Sequence, residues 1–186
     1  MNESTNPWQV LSEKQVYDNN WITVTEYGVI NPGGGKGIYG KVHLKNIAIG
    51  VLVLDEELNT YLVGQYRFTV SEYSWEIPEG GGSFDMEPLD SAKKELREET
   101  GLIAHEWNLF QKLHTSNSIS DEYALIFLAR NLEQHDPMPE ETEQLVVKKL
   151  PLEEAWQLTE KGLITDAISV AAIQKAKIMI MSGELS

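Results

Sequence analysis

The chain predicts an α+β fold, or an α/β fold built on a mixed sheet. Three observations carry this. Short β-branched and aromatic runs alternate with Gly- and Pro-rich turns through the first half of the 186 residues. One strongly helical segment, 89–100, sits between strands, and two more helices follow near the end. Strands and helices are mixed without a regular βαβ repeat.

Each element has its own signal. Trp21–Ile30 is rich in β-branched and aromatic residues, and Asn31-Pro32-Gly33-Gly34-Gly35-Lys36-Gly37 marks a turn. A strand over 38–44 pairs back, so residues 8–45 form an N-terminal antiparallel β segment. The continuous apolar run Ile47–Leu54 reads as a buried strand. A second central strand, 60–66, follows the Asp55–Asn59 turn, and a short strand over 73–77 ends at Pro78. Leu89–Thr100 is the clearest helix. Pro88 suits its first turn, Gly101 suits its C-terminal cap, and Leu89, Ala92 and Leu96 form its apolar stripe. Strands are expected over 121–129 and 143–150, and helices over 152–159 and 166–181. Trp8, Trp21, Trp75, Trp107 and Trp156 read as mostly core.

The length suits one domain, burying about 70% of the surface its unfolded chain exposes. With no cysteine, disulfides, zinc–thiolate sites and thiol nucleophiles are excluded. That fits a reducing cytoplasm. The first seven residues have neither a basic nor an apolar region of a signal peptide. No apolar run reaches the roughly 20 residues of a membrane span. A net charge of −14 repels a nucleic-acid backbone, so no nucleic-acid partner is expected.

The chemistry concentrates in Lys94-Glu95-Leu96-Arg97-Glu98-Glu99-Thr100-Gly101-Leu102, just after Pro78-Glu79-Gly80-Gly81-Gly82. Glu95, Glu98 and Glu99 stand at i, i+3 and i+4, close together on a helix surface. Like charges at that spacing are destabilising. A solvated acidic face is the plain reading. A glycine loop that lets backbone approach a ligand argues instead for a cation site. Carboxylates, water and substrate phosphates are what Mg²⁺ prefers. Gly33-Gly34-Gly35-Lys36-Gly37 lacks the Ser or Thr of a phosphate loop and reads as a turn. His43, His105, His114 and His135 show no metal-ligand spacing.

Gly80 through Leu102 resembles the Nudix box, G-x5-E-x7-R-E-U-x-E-E-x-G-U with U aliphatic. Gly80, Glu95, Leu96, Glu98, Glu99, Gly101 and Leu102 occupy its places. The resemblance implies an α/β/α sandwich with a mixed sheet between helices. It also implies hydrolysis of a nucleoside diphosphate linked to another moiety, with Glu95, Glu98 and Glu99 holding Mg²⁺ or Mn²⁺. Two positions depart from the pattern. Met86 stands where the first Glu belongs, with Glu87 one residue late, and Lys94 stands in place of Arg. In the family those two side chains brace the loop against the helix. Lys94 lacks the bidentate fork of Arg, so looser bracing is expected.

Gln65-Tyr66-Arg67, Trp75-Glu76-Ile77-Pro78-Glu79-Gly80-Gly81 and Gly162–Ser169 resemble the ADP-ribose and nucleoside-diphosphate-sugar pyrophosphatases of that family. The N-terminal β segment (1–45) resembles that branch's extra sheet, which exchanges between subunits of a homodimer, with a catalytic domain over 46–186. By resemblance, Arg67 binds substrate phosphate, Glu76 contacts substrate or metal-bound water, and the Glu79 backbone carbonyl is a metal ligand. Gly80 and Gly81 line the substrate, and the loop 116–122 binds it with Glu122 at its end. A general base or further metal ligand is expected from Glu141 or Glu143. Trp21 or Tyr27 is a candidate to stack on the base. Members specific for ADP-ribose often carry a proline where Asn117 stands here, which leaves other nucleotide sugars open.

The implied reaction is Mg²⁺-dependent cleavage of a nucleotide sugar to a nucleoside monophosphate and a sugar phosphate. Three alternatives stand beside it. One is a Nudix enzyme on nucleoside triphosphates or dinucleotides, against which the long N-terminal β segment argues. Another is a non-catalytic nucleotide-sugar sensor, against which the intact carboxylates argue. A prenyl diphosphate isomerase would lack its usual cysteine.

Overall fold

A computed structural model of the chain describes residues 5–136 and 145–186. It divides into two compact units. The first comprises 5–46 with 114–122, and the second the remaining described residues.

The first unit is an antiparallel three-stranded sheet of β1 (Gln9–Asp18), β2 (Ile22–Ile30) and β3 (Lys36–Leu44), in that order. Asn19 closes the first turn, its side-chain oxygen accepting from the N–H groups of Trp21 and Ile22. Asn31 closes the second, accepting from Gly33 and Gly35, while Gly34 takes a φ of +84° that suits glycine. Segment 114–122 lies along β3. Val42 N–H donates to the Ile119 carbonyl, and Asp121 binds Lys41, His43 and the Leu44 N–H. Trp8 and Trp21, expected in the core, are 38% and 66% exposed. They sit on a thin sheet whose β1 is exposed along its whole length.

The second unit holds a mixed four-stranded sheet in the order β7 (Glu79–Gly82), β4 (Ile47–Val53), β9 (Tyr123–Gln134), β8 (Leu102–His114). β4 pairs parallel with β9 and antiparallel with β7. A second sheet has the order β10 (Val146–Pro151), β5 (Asn59–Arg67), β6 (Glu72–Glu76). The helices are α1 (Pro88–Thr100), α2 (Leu152–Glu160) and α3 (Ala167–Ser182).

Alternation along β4 and β9 divides the core in two. Ile49, Val51, Val53, Leu125 and Phe127 pack with Ala92 and Leu96 of α1. Leu52, Ile126 and Leu128 pack with Leu152, Ile168 and Ile173 of α2 and α3. Both faces of the sheet are therefore covered, as the run Ile47–Leu54 predicts. The fold is a mixed sheet sandwiched between helices.

Two elements differ from expectation. The glycine-rich loop is strand β7, registered from Ile47↔Gly82 to Gly50↔Glu79. Strand β8 had no clear signal, because its thirteen residues mix buried and exposed positions without clean alternation. The start of the strand expected from residue 143 lies outside the described residues, and β10 begins at Val146.

Candidate active site

Helix α1 starts at Pro88 after Glu87 and ends at Gly101, whose φ of +73° is the left-handed cap its lack of a side chain permits. Its apolar stripe fixes its roll, and the roll directs Glu95 and Glu99 toward β7. Glu99 is buried, not solvated, and its Oε2 accepts a hydrogen bond from the Glu79 N–H at 3.0 Å. Glu95 lies against Gly80, where an added Cβ would fall 2.3 Å from Glu95 Oε2. Gly82 likewise has no room, with Ile49 at 2.9 Å and Ser91 at 3.0 Å. The glycines thus let the helix carboxylates reach the strand backbone. Gly81, between them, is exposed.

Lys94, which stands in place of the box arginine, pairs with carboxylates of its own helix. Its ammonium lies 2.8 Å from Glu98 and 3.8 Å from Glu95, along its own helix. Met86 is 44% exposed.

A second group of charges adjoins Glu79. Arg67 closes β5 and Glu76 closes β6. Both Glu76 oxygens accept from Arg67 Nε, at 3.0 and 2.9 Å, and Nη2 also donates to Glu76. Nη2 reaches Glu79 Oε1 as well, at 2.9 Å. Burial opposes the guanidinium's charge, but Glu76 and Glu79 more than compensate and raise its pKa above the ordinary value. Glu79 behaves oppositely. Burial, then Asp166 and Glu76, push its carboxyl well above the usual range, despite Arg67. The loop holding these groups is anchored, since Ile77 N–H donates to Ser169 Oγ at 2.9 Å and Val51 N–H to the Pro78 carbonyl at 2.8 Å. Asp166 caps α3 by accepting from the Ser169 N–H. Arg67, Ser74, Glu76, Glu79 and Asp166 line a cavity of about 400 Å³.

The donor set suits a divalent cation. Glu76, Glu79 and Asp166 gather around the Arg67 guanidinium, Glu99 lies beside Glu79, and Glu79 Oε2 is buried without a hydrogen-bond partner among the described residues. Hard oxygens in excess of positive charge are what Mg²⁺ and similar ions take. Among the described residues no three His, Asp or Glu side chains already converge on one ligating point. Mg²⁺ sites typically complete their shell with water and substrate phosphate.

Of the residues expected to act together, α1, β5, β6 and β7 bring Arg67, Glu76, Glu79, Gly80, Glu95 and Glu99 into one neighbourhood. Glu98 stands on α1 with Lys94. Glu122 belongs to the first unit, where Thr115 Oγ1 hydrogen-bonds its carboxylate. Glu141 and Glu143 lie outside the described residues. The sequence reading missed Asp166 and the Glu79 side chain. Asp166 carried a signal, as an Asp immediately before a helical run. The first unit also has its own cavity, about 510 Å³, walled by Trp8, Tyr27, Tyr39, Lys41, Asn117 and Asp121.

Residues 44–170 match the family described as NUDIX domain, more than half of the chain. The chain belongs to the Nudix family. Residues 8–42 match the nucleoside diphosphate sugar hydrolase N-terminal domain. The Nudix chain is 31% identical to an ADP-ribose pyrophosphatase of Mycobacterium tuberculosis, over 89% of its own length and 81% of that protein's. It is 29% identical to an ADP-ribose pyrophosphatase of Bacillus subtilis, covering 89% and 90%. A CMP-5'-(N-acetyl-N-hydroxy-3-aminopropyl)phosphonate hydrolase of Streptomyces rubellomurinus is 27% identical over 83% of this chain and 75% of that one. The fold matches the crystal structure of an ADP compounds hydrolase at a TM-score of 0.85, with 97% of each chain covered and 19% identity. Nudix hydrolases generally use divalent metals. No helix among the described residues is long and apolar enough to cross a membrane.

Proposed function

We propose that this Nudix pyrophosphatase hydrolyses the pyrophosphate bond of a nucleoside diphosphate sugar, ADP-ribose or a close analogue, with Mg²⁺ or Mn²⁺. The products are a nucleoside monophosphate and a sugar phosphate. The observation that carries the reading is the docking of Glu95 and Glu99 onto β7, where Glu99 holds the Glu79 N–H. The two ADP-ribose pyrophosphatases among the relatives and the match of residues 8–42 support the substrate class.

Glu95, Glu98, Glu99 and the Glu79 backbone carbonyl would hold the ion. A bound divalent ion polarises a phosphoryl oxygen and lowers the pKa of an attacking water. This chain's residues do the rest by position and charge. Glu99 ties helix to strand and fixes the carboxylates. Arg67 presents a guanidinium to the diphosphate. Gly80 and Gly81 keep the strand open to it. Glu141 or Glu143 takes the proton of the attacking water. In the first unit, Tyr27 and Asn117 stand in an aromatic-walled cavity that suits a nucleobase, and Glu122 closes the 116–122 loop. Asn117 in place of a proline leaves nucleotide sugars other than ADP-ribose open as substrates. The partner is a second copy of this chain, joined through the sheet β1–β3, whose exposed Val10, Leu11, Val16, Tyr17 and Ile38 suit an interface. Nucleic acid is not a partner, and the setting is cytoplasmic.

The test is a panel of ADP-ribose, other nucleotide sugars, dinucleotides and nucleoside triphosphates with Mg²⁺, with products quantified by chromatography. Cleavage of a nucleotide sugar to a monophosphate and a sugar phosphate supports the reading. Turnover of triphosphates alone contradicts it, and no turnover of any diphosphate favours a sensor.

A further inference from the structure

We infer that Glu76 is a positioning residue that acts through Arg67, aiming one edge of its guanidinium at the substrate diphosphate. The inference rests on the proposed pyrophosphatase reading, and it gives Glu76 a different task from touching substrate or metal.

Strands β5 and β6 form an antiparallel hairpin. Arg67 pairs with Glu72, Gln65 with Ser74 and Val63 with Glu76. Side chains two apart share a face of a strand. Arg67 and Glu76 are therefore on the same face, with the small Ser74 on that face between them. The Arg67 side chain reaches back along the hairpin to Glu76. The Glu76 side chain is only 4% exposed, and both its oxygens are taken by Arg67. A carboxylate so engaged has little capacity left for a substrate hydroxyl.

Arg67 has five N–H groups. The Nε edge goes to Glu76, and Nη2 is shared by Glu76 and Glu79. Among the described residues Nη1 has no hydrogen-bond partner. The Arg67 side chain is 36% exposed and borders the 400 Å³ cavity. Its two Nη1 hydrogens form the available edge, and phosphate oxygens are what a guanidinium edge recognises. Glu76 itself is fixed, since the next residue, Ile77, is fully buried and its N–H is bound to Ser169 of α3. The chain of support runs from α3 through Ile77 and Glu76 to Arg67. Without Glu76 the long Arg67 side chain regains its rotamers.

The test is a double-mutant cycle on the full chain in Mg²⁺, with Arg67→Ala, Glu76→Ala, Glu76→Gln and the double alanine variant. Two readouts are taken, the kcat and KM split on the best panel substrate and ADP affinity by calorimetry. Arg67→Ala and Glu76→Ala each weaken ADP binding and raise KM by about 10–100-fold, as loss of a supporting residue does. The double variant is no worse than Arg67→Ala alone, because residues acting as a unit are non-additive. Glu76→Gln, which keeps one acceptor oxygen and the same shape, recovers part of the loss. It also carries the comparison if Glu76→Ala fails to fold. Losses that multiply in the double variant, or unchanged KM and ADP affinity in Glu76→Ala, overturn the inference. Coupled ADP binding without turnover of any diphosphate would sink the pyrophosphatase reading and leave the Arg67–Glu76 unit standing. Multiplicative losses with normal turnover would do the reverse. A wild-type chain that neither binds ADP nor cleaves a diphosphate would overturn both.

Discussion

The Glu99 carboxylate accepts the backbone N–H of Glu79 at 3.0 Å, joining the acidic helix α1 to the glycine strand β7. Three carboxylates at i, i+3 and i+4 would repel on an open helix surface. Here one of them is buried against a backbone donor, and another rests on a glycine with no side chain in the way. That crowding is what the proposed cation would offset.

Gly80 tests that contact from the strand side. A Cβ there would fall 2.3 Å from Glu95 Oε2 and 2.5 Å from its Cδ. The clash is with the end of a flexible side chain, so Gly80→Ala folds but displaces Glu95. We expect a melting temperature near wild type and at least about 10-fold weaker Mg²⁺ binding by calorimetry. Unchanged Mg²⁺ affinity would show that Glu95 is not a ligand.

Glu79 sets a pH dependence. Its folded pKa is raised above the ordinary 4.5 by burial and by Asp166 and Glu76. The native state then holds a proton that the unfolded chain releases first. Stability is fullest below about pH 4.5 for this group and falls as pH rises through the raised value. Glu79→Gln, which carries no charge, should flatten that fall and raise the metal-free melting temperature at pH 8. A melting temperature that drops in the variant would contradict the assignment.

Asp55 titrates in the opposite sense. Burial works against its charge, but Lys149 at 2.7 Å and the N–H groups of Asn59 and Glu57 prevail and hold the carboxyl at about 2. Its contribution is present above the unfolded value, near 3.8, and is lost as pH falls toward 2. Asp55→Ala should cost about 1–3 kcal/mol at pH 7 in urea denaturation. The difference from wild type should shrink below pH 3.

Gly50 marks where α3 meets the sheet. A Cβ there would meet Ile168 Cγ2 at 2.6 Å and Ile77 Cδ1 at 3.2 Å. Ile168 lies two residues from Asp166, and Ile77 follows Glu76. Gly50→Ala overpacks the core and should cost about 1–3 kcal/mol in denaturant titration. A neutral outcome would mean that α3 moves easily, and the anchored loop would lose its support.

Strong local patterns made much of this legible in the sequence. The run Ile47–Leu54 was apolar because both its faces are covered, and α1 announced itself through its stripe, Pro88 and Gly101. The box carboxylates were legible because their spacing is local. Strand β8 was not, because its stability comes from pairing with β9 and not from its own alternation. Trp8 and Trp21 were misjudged because hydrophobicity alone does not distinguish a core from an exposed sheet. The Arg67–Glu76 fork joins residues nine apart across a hairpin, and Asp166 is far from Glu79 in the chain. Only the hairpin register and the α3 cap bring them together.

The most direct measurement compares wild type with Glu99→Gln on ADP-ribose in Mg²⁺, quantifying AMP and ribose 5-phosphate. Gln keeps an oxygen to accept the Glu79 N–H, so the fold should hold, with a melting temperature close to wild type. The loss of a metal-ligating charge removes several kcal/mol of transition-state stabilisation. We expect wild type to release the two products in equal amounts, and Glu99→Gln to be slower by about 100-fold or more. No AMP from wild type, or undiminished turnover by a folded Glu99→Gln, would contradict the account.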